Sequence, residues 1–301
     1  MNVKSVMYLV VGPLAYRLTS DYPMVCDAMF AHFFQNEPPT QEQGVRTLVD
    51  CEVMVTDQKV MIEGDLVFRD PVRSVYTSSK GLETRVLDFE GEPYAICKDM
   101  PQVKLQLFLA KFCLSDGNII ISMYFLESLM MERYMMMCGG MVLHSSFIVH
   151  NNKAILFTAP SGTGKSTQAS LWERYAGAEV INGDRSVVWY DDSQHHFMAS
   201  GLPFCGSSGI NKVRTVPLQS VVFISQAPEN DARPMPVAVA ARKLFGEMSI
   251  NKWNVAFVEK ALELIDRLVT TVTMVRLECN MEEGAVETLR RCIEEMTDSD
   301  E

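Results

Sequence analysis

The sequence predicts a mixed α/β (α+β) fold in two parts, a β-rich accessory stretch over residues 1–138 and a mixed-sheet α/β domain over residues 139–301. Three observations predict it. Before residue 138, short apolar runs alternate with turn residues at strand spacing. Gly139-Gly140 then punctuates the chain. After it, strand-like runs alternate with helical patterns around a glycine- and serine-rich nonapeptide. With 301 residues, 48% of them hydrophobic and 22% charged, the chain has the material for two modest domains with real cores.

In the first part, the apolar run at residues 6–11 is too short to span a bilayer and reads as a first strand rather than a targeting segment. Residues 24–34 suit a helix, and residues 35–43, with Pro38-Pro39, a loop. Strands are expected at 48–55, 59–62, 66–69, 85–89 and 94–97, and a helix over 123–137 that stops at Gly139-Gly140. Its methionines (130, 131, 135, 136 and 137) could form a soft-metal site. With no His or Cys interleaved, they read better as a buried thioether-rich face.

In the second part, a strand at 141–149, a turn at His150-Asn151-Asn152 and a strand at 153–158 predict a hairpin, so the sheet is mixed rather than wholly parallel. A helix over 168–175 ends at Gly177, and a short strand at 179–181 runs into Asn182-Gly183-Asp184. Residues 186–190 and 197–200 make a second hairpin, 201–209 a glycine- and serine-rich loop, and 218–225 a buried strand. A helix over 258–269, with Val258, Ala261, Leu262, Ile265 and Leu268 at helical spacing, leads to a strand at 272–277. Asn280 and Glu283 suggest a capping box for the last helix, and the acidic residues 297–301 a frayed tail.

Composition bounds the function. A net charge of −11 argues against a nucleic-acid partner, whose phosphates are held by summed basic charge. Eight cysteines without C-x-x-C spacing fit reduced thiols in a cytoplasmic protein, with no membrane association expected.

The nonapeptide carries the chemistry. Residues 159–167 read Ala-Pro-Ser-Gly-Thr-Gly-Lys-Ser-Thr between a strand and a helix, the context of a phosphate-binding P-loop. Small residues let backbone N–H groups converge on phosphate oxygens, beside the positive end of the following helix. Ala159 stands where the motif usually has its first glycine. The expected ligand is ATP with Mg²⁺. Ser161, Gly162, Thr163, Gly164, Lys165, Ser166 and Thr167 would form the cradle. Lys165 would neutralise β/γ-phosphate charge, and the Ser166 hydroxyl would ligate the metal.

Phosphoryl transfer also needs a carboxylate. Asp184, ending a strand one helix after the loop, is the candidate to hold the metal or to take the proton of the nucleophile, followed by Arg185. Asn182-Gly183-Asp184 also reads as an ordinary tight turn. His144 could be catalytic or a hydrogen-bonded core histidine. The 201–209 loop could close over phosphates with Lys212 and Arg214 adding positive charge, or be a plain surface loop.

His144 in a strand, the P-loop at 159–167 and the Gly183-Asp184-Arg185 turn together resemble the catalytic domain of HPr kinase/phosphorylase, whose nucleotide-binding core is shared with ATP-dependent phosphoenolpyruvate carboxykinase. The resemblance covers about residues 141–225 well. It implies a mixed-sheet P-loop kinase that moves the γ-phosphoryl group of Mg-ATP to a serine hydroxyl, with Lys165 on the phosphates, Ser166 and Asp184 on Mg²⁺ and His144 near the transferring group. It also suggests a homo-oligomer. Gly183 replaces the first aspartate of the family's pair, which leaves open whether Asp184 does both jobs or an acid elsewhere serves. The family's Glu-x-Arg-Gly loop is missing, which disfavours HPr as the acceptor and points to a peptide, small protein or small metabolite. A nucleotide sensor without useful turnover is the alternative, and a carboxykinase-like enzyme a further one.

Overall fold

The computed structural model describes residues 4–298; part of the acidic tail expected at 297–301 lies outside them. The chain divides into two compact units, Met1–Tyr134 and Met135–Glu301. Among the described residues, no helix is long and apolar enough to cross a membrane.

The first unit is β-rich. Its strands are β1 (Ser5–Val11), β2 (Leu14–Ser20), β3 (Met24–Cys26), β4 (Phe34–Gln35), β5 (Thr47–Val55), β6 (Asp65–Asp70), β7 (Arg73–Thr77), β8 (Glu83–Phe89), β9 (Glu92–Met100), β10 (Lys104–Leu109), β11 (Leu114–Ser115) and β12 (Asn118–Ile121). Among the described residues they build a nine-stranded sheet, ordered β4-β1-β2-β5-β10-β9-β8-β7-β6, and a three-stranded one, β11-β12-β3. The helix expected over 24–34 is absent. Met24–Cys26 pairs in parallel with β12 instead, and Asp27 turns the chain by accepting a bond from the Met29 N–H (3.0 Å). Residues 59–62 form no strand.

The helix expected over 123–137 is two, α1 (Met123–Glu127) and α2 (Met131–Met137). Met130 breaks it at φ +52°, and the Tyr16 hydroxyl captures the Leu129 carbonyl (2.9 Å). Arg133 of α2 is held by Asp99 and Glu83, both buried.

The second unit carries β13 (Gly140–His150), β14 (Lys153–Thr158), α3 (Lys165–Ala176), β15 (Glu179–Asn182), β16 (Arg185–Asp191), β17 (His196–Gly201), β18 (Thr215–Gln226), β19 (Asp231–Pro234), α4 (Val237–Glu247), α5 (Val255–Thr271), β20 (Thr273–Cys279) and α6 (Glu283–Asp298). The hairpin of β13 and β14 forms as expected, with Asn151 and Asn152 both at positive φ, the turn geometry that matches strand twist. The sheet is mixed: β14 pairs antiparallel with β13 and parallel with β18. Because β16 pairs β13, and β17 joins β16 to β18, these five strands close into a ring of ladders.

Alternation along β14 sorts its side chains to opposite faces. Ala154 and Leu156 join the layer containing Leu244 of α4 and Ile265 of α5. Ile155 and Phe157 join the layer containing Trp172 of α3 and Leu289 of α6. The arrangement is helix, sheet, helix. Helix α4 has no counterpart among the sequence expectations. The last helix begins at Glu283, and Asn280 accepts a bond from the Glu282 N–H (3.1 Å) just before it rather than capping that helix as the expected box requires.

Candidate functional site

The site grows out of β13, whose neighbours change half-way along. Its second half pairs with β14 (Ser145 to His150) and β15 (Phe147 to Val149), its first half with β16 (Gly140 to His144). On the side that β14 occupies further along, the chain after α4 comes in: Leu143 bridges Met248, and the Ser249 N–H reaches the Val142 carbonyl (3.0 Å). On the other side, β15 passes into β16 through Gly183 and Asp184, which sit opposite Ser145 and Ser146. His144 therefore lies where both borders of the strand diverge. Its side chain is 32% exposed there.

β14 leaves the sheet there into the loop 159–164. Gly162 and Gly164 take positive φ (+79° and +111°), and a Cβ on either would meet nothing within 4 Å. The curl thus faces open space. Helix α3 begins at Lys165, three residues before the stretch expected from its sequence pattern, so the Lys165 and Ser166 backbones lie in its positive first turn. Ser161 and Gly162 are exposed, and Thr163 and Thr167 half-buried; the Thr163 carbonyl accepts from Gln226 Nε2 (3.3 Å). Lys165 folds back so that Nζ donates to the Ala159 carbonyl (2.7 Å). Burial pushes its ammonium below the usual lysine range, while Glu247 and Asp184 pull the other way. An open loop and a lysine held only by carbonyls suit a phosphate chain, whose oxygens would replace those carbonyls.

Ser166 Oγ and Ser146 Oγ both donate to the Gly183 carbonyl (3.2 and 3.0 Å), tying the loop helix to the Asp184 turn. Asn182, fully buried, shapes that turn. Its Oδ1 accepts from the Asp184 and Arg185 N–H groups (2.9 Å each), and its Nδ2 donates to the Leu202 and Phe204 carbonyls (2.8 Å each). Asp184 Oδ2 meets Arg185 Nε (3.2 Å), and the Arg185 guanidinium lies over the Phe204 ring. Asp184 Oδ1 is 3.7 Å from His144 Nε2, and His144 Nδ1 is 3.1 Å from Glu247 Oε2 at the end of α4. The structure thus brings Lys165, Ser166, Asp184, Arg185 and His144 to one sheet edge and adds Glu247. A carboxylate and a serine hydroxyl are hard oxygen donors of the kind Mg²⁺ takes.

Two expected residues lie elsewhere. Lys212 pairs with Glu179 at the start of β15 (3.0 Å), and Arg214 donates to Asn152 in the β13–β14 turn (2.9 Å). That turn is at the opposite end of β14 from the loop, about 20 Å away at ~3.3 Å per residue. Neither is placed to add charge at the loop. The 201–209 loop lies against the Asp184 turn, where a Cβ on Gly206 would come within 2.9 Å of the Asp184 side chain.

The glycine at 183 has a physical reason. A Cβ there would overlap the Ser208 side chain, which donates to the Cys205 carbonyl (2.6 Å). Gly183→Ala should lower stability by about 1–3 kcal/mol, the usual cost of overpacking. Adding Ser208→Gly should recover part of that loss, and paired thermal melts would read both effects.

Missed from sequence were Glu247 and the role of Asn182. Pro236 ahead of an alanine-rich run with Ala240 and Leu244 four apart was the available sign of α4. The family model for SynChlorMet cassette protein ScmC matches residues 113–281, more than half of the chain. The chain belongs to the ScmC family. Among curated proteins no relative matches it. Among solved structures, the HPr(Ser) kinase/phosphatase from Coxiella burnetii is similar to this ScmC family member over 52% of this chain and 98% of that one, with 12% identity and a TM-score of 0.29.

Proposed function

We propose that this ScmC family protein is a Mg-ATP-dependent kinase that transfers the γ-phosphoryl group to a serine hydroxyl of a peptide, small protein or small metabolite. One observation carries the reading. Lys165, Ser166, Asp184 and His144 converge at the sheet edge where a glycine-curled loop meets a helix N-terminus. Phosphoryl transfer asks a protein mainly for positioning and charge, and these groups supply both. The backbone of 161–166 and Lys165 would hold the phosphates; Ser166 and Asp184 would hold Mg²⁺, which when bound neutralises phosphate charge. Arg185 stands beside them. The acidic composition favours a hydroxyl acceptor over nucleic acid, and the scattered thiols a cytoplasmic setting.

The test is transfer of label from γ-labelled ATP to a panel of serine-bearing acceptors, with free serine included and Asp184→Asn alongside. A kinase labels an acceptor, and the variant loses about 10²–10³ in turnover while keeping part of its nucleotide affinity. A second reading, an ATP sensor, is favoured by Gly183, which leaves one carboxylate in the turn. A sensor would bind ATP in titration and label nothing, and that outcome would overturn the kinase.

A further inference from the structure

We infer that the first unit carries a binding cavity for one bulky apolar side chain of a peptide segment whose flanking residues are basic. The inference concerns the first unit alone and is independent of the kinase reading. A cavity of about 220 Å³ lies among the ends of β8, β9 and β10, the single turn at Lys111–Cys113 and helix α1. Its wall is largely aromatic, with Phe89, Tyr94, Phe112 and Tyr124 around Leu109 and Cys113. Tyr94 and Leu109 are buried, whereas Phe112, Tyr124 and Phe89 are 62%, 49% and 43% exposed. Aromatic rings left half in water around a hollow mark a binding surface rather than a finished core.

The strands build the hollow. Along β8 and β9 the ladder slips: Leu87 pairs with Ala95 and Asp88 with Pro93, so Tyr94 has no residue opposite it. A bulge of this kind re-aims side chains, and Tyr94 lines the cavity. The rings of Phe89 and Tyr94 each form a T-shaped pair with Tyr124 (centroids 5.3 and 5.5 Å apart), which fixes the wall. Its polar groups are engaged by the protein itself. The Tyr94 hydroxyl donates to the Tyr124 carbonyl (3.4 Å), the Cys113 thiol donates to the Tyr94 carbonyl (3.6 Å), and Ser122 Oγ accepts from the Phe125 N–H (3.5 Å) as the cap of α1. Burial raises both the Cys113 thiol and the Tyr94 phenol, so the wall carries no charge at neutral pH.

Size and charge select the occupant. A hollow of about 150 Å³ holds a benzene ring, and sites for drug-sized molecules run from about 300 Å³ upward. This one therefore takes the end of one large side chain and is too small for a nucleotide. The rim is acidic. Glu90 and Glu92 are exposed at the β8–β9 turn, and Glu92 lies directly opposite Phe89, on the same face of the sheet. Glu127, exposed at the end of α1, is near enough to Tyr94 that its charge adds to burial in pushing the phenol up. The neighbouring Lys111 is offset by Asp57 (3.9 Å). Carboxylates around an apolar hollow repel an acidic segment and draw a basic one. A free apolar molecule would use the hollow and not the rim. An apolar residue flanked by Lys or Arg uses both.

The experiment is a calorimetric titration of the full chain, without nucleotide, using the end-blocked peptide Lys-Lys-Phe-Lys-Lys as the probe. Its controls carry Ala in place of Phe, or Glu in place of every Lys. The probe should bind about tenfold more tightly than the Ala peptide, the scale of one buried ring, and the Glu peptide more weakly than the probe. Phe112→Ala should weaken the probe by about tenfold, as truncating an aromatic anchor does. Its thermal melt should stay in place, because the Phe112 ring is mostly exposed. Glu90→Lys combined with Glu92→Lys should weaken the probe about fivefold and tighten the Glu peptide. Equal affinity for the Phe and Ala peptides overturns the inference, and if Phe112→Ala lowers both alike the cavity takes a cation instead. Phe112→Ala without effect, a Glu peptide bound as well as the probe, or no binding of any peptide overturns it too. Should Phe112→Ala melt early, the peptide comparison on the unaltered protein and the rim variant still decide.

Discussion

Replacing Lys165 with alanine should abolish measurable phosphoryl transfer while leaving the protein folded. In the proposed kinase, the ammonium is the only group of the loop that would bring a full positive charge to the phosphates, and a single well-placed electrostatic group is worth about 10²–10³ in rate. Its hydrogen bonds to phosphate should add about 1.5–3 kcal/mol to nucleotide affinity, so binding should weaken by at least about tenfold. Stability should hardly change. Helix α3 is anchored by Ala169 and Trp172 in the layer shared with α6, and Lys165 bonds only to loop carbonyls. Titration calorimetry with ATP, label transfer and a thermal melt of the same sample check the three parts. A variant that loses activity together with several degrees of melting temperature would assign Lys165 to the fold instead.

The second large effect is expected at Asn182. Its side chain is fully buried and makes two donated and two accepted bonds, to the Asp184 turn and to the loop beyond β17. Asn182→Ala leaves two N–H groups and two carbonyls without those partners, at about 1–3 kcal/mol for each that stays dry. A total near 4 kcal/mol lies at the upper end for single substitutions. In a unit of this size, that lowers the melting temperature by roughly 10 °C. Asn182→Asp should cost at least as much, since a carboxylate oxygen would then face the Leu202 and Phe204 carbonyls at a fully buried position. Because Asn182 holds the Asp184 and Arg185 amides, activity at temperatures where the variant is still folded should drop as well. Measuring turnover well below the melting point separates that loss from unfolding.

Much of the site was legible because local chemistry wrote it. The strand, the glycine-curled loop and the helix at 153–176 each carry their own residue types, and Asn151-Asn152 marks its hairpin without help from elsewhere. What was illegible depends on distant partners. The run at 123–137 is helix-forming throughout, yet it breaks because Tyr16, more than a hundred residues earlier, takes the Leu129 carbonyl and because Met130 is drawn into the core at positive φ. Residues 24–26 are a strand because 119–121 are there to pair with them. Glu247 meets His144 across 103 positions of sequence, on a helix whose alanine-rich run sits between Pro236 and Gly246. Lys212 and Arg214 misled for the same reason: a positive charge near a glycine-rich loop in sequence finds its nearest acids and amides in space, which here are Glu179 and Asn152.

The closed ring of ladders through β13, β16, β17, β18 and β14 also constrains how the protein moves. A strand in an open sheet can peel from one neighbour and keep the other, and a hinge can form along the seam. Here each member is held on two sides, and swinging any one of them would break two ladders at once. The sheet beneath the 159–164 loop is therefore stiff. Whatever adjustment accompanies the arrival and departure of a ligand falls to the segments outside the ring: the 159–164 loop, the 202–214 stretch, and the end of α4 that carries Glu247.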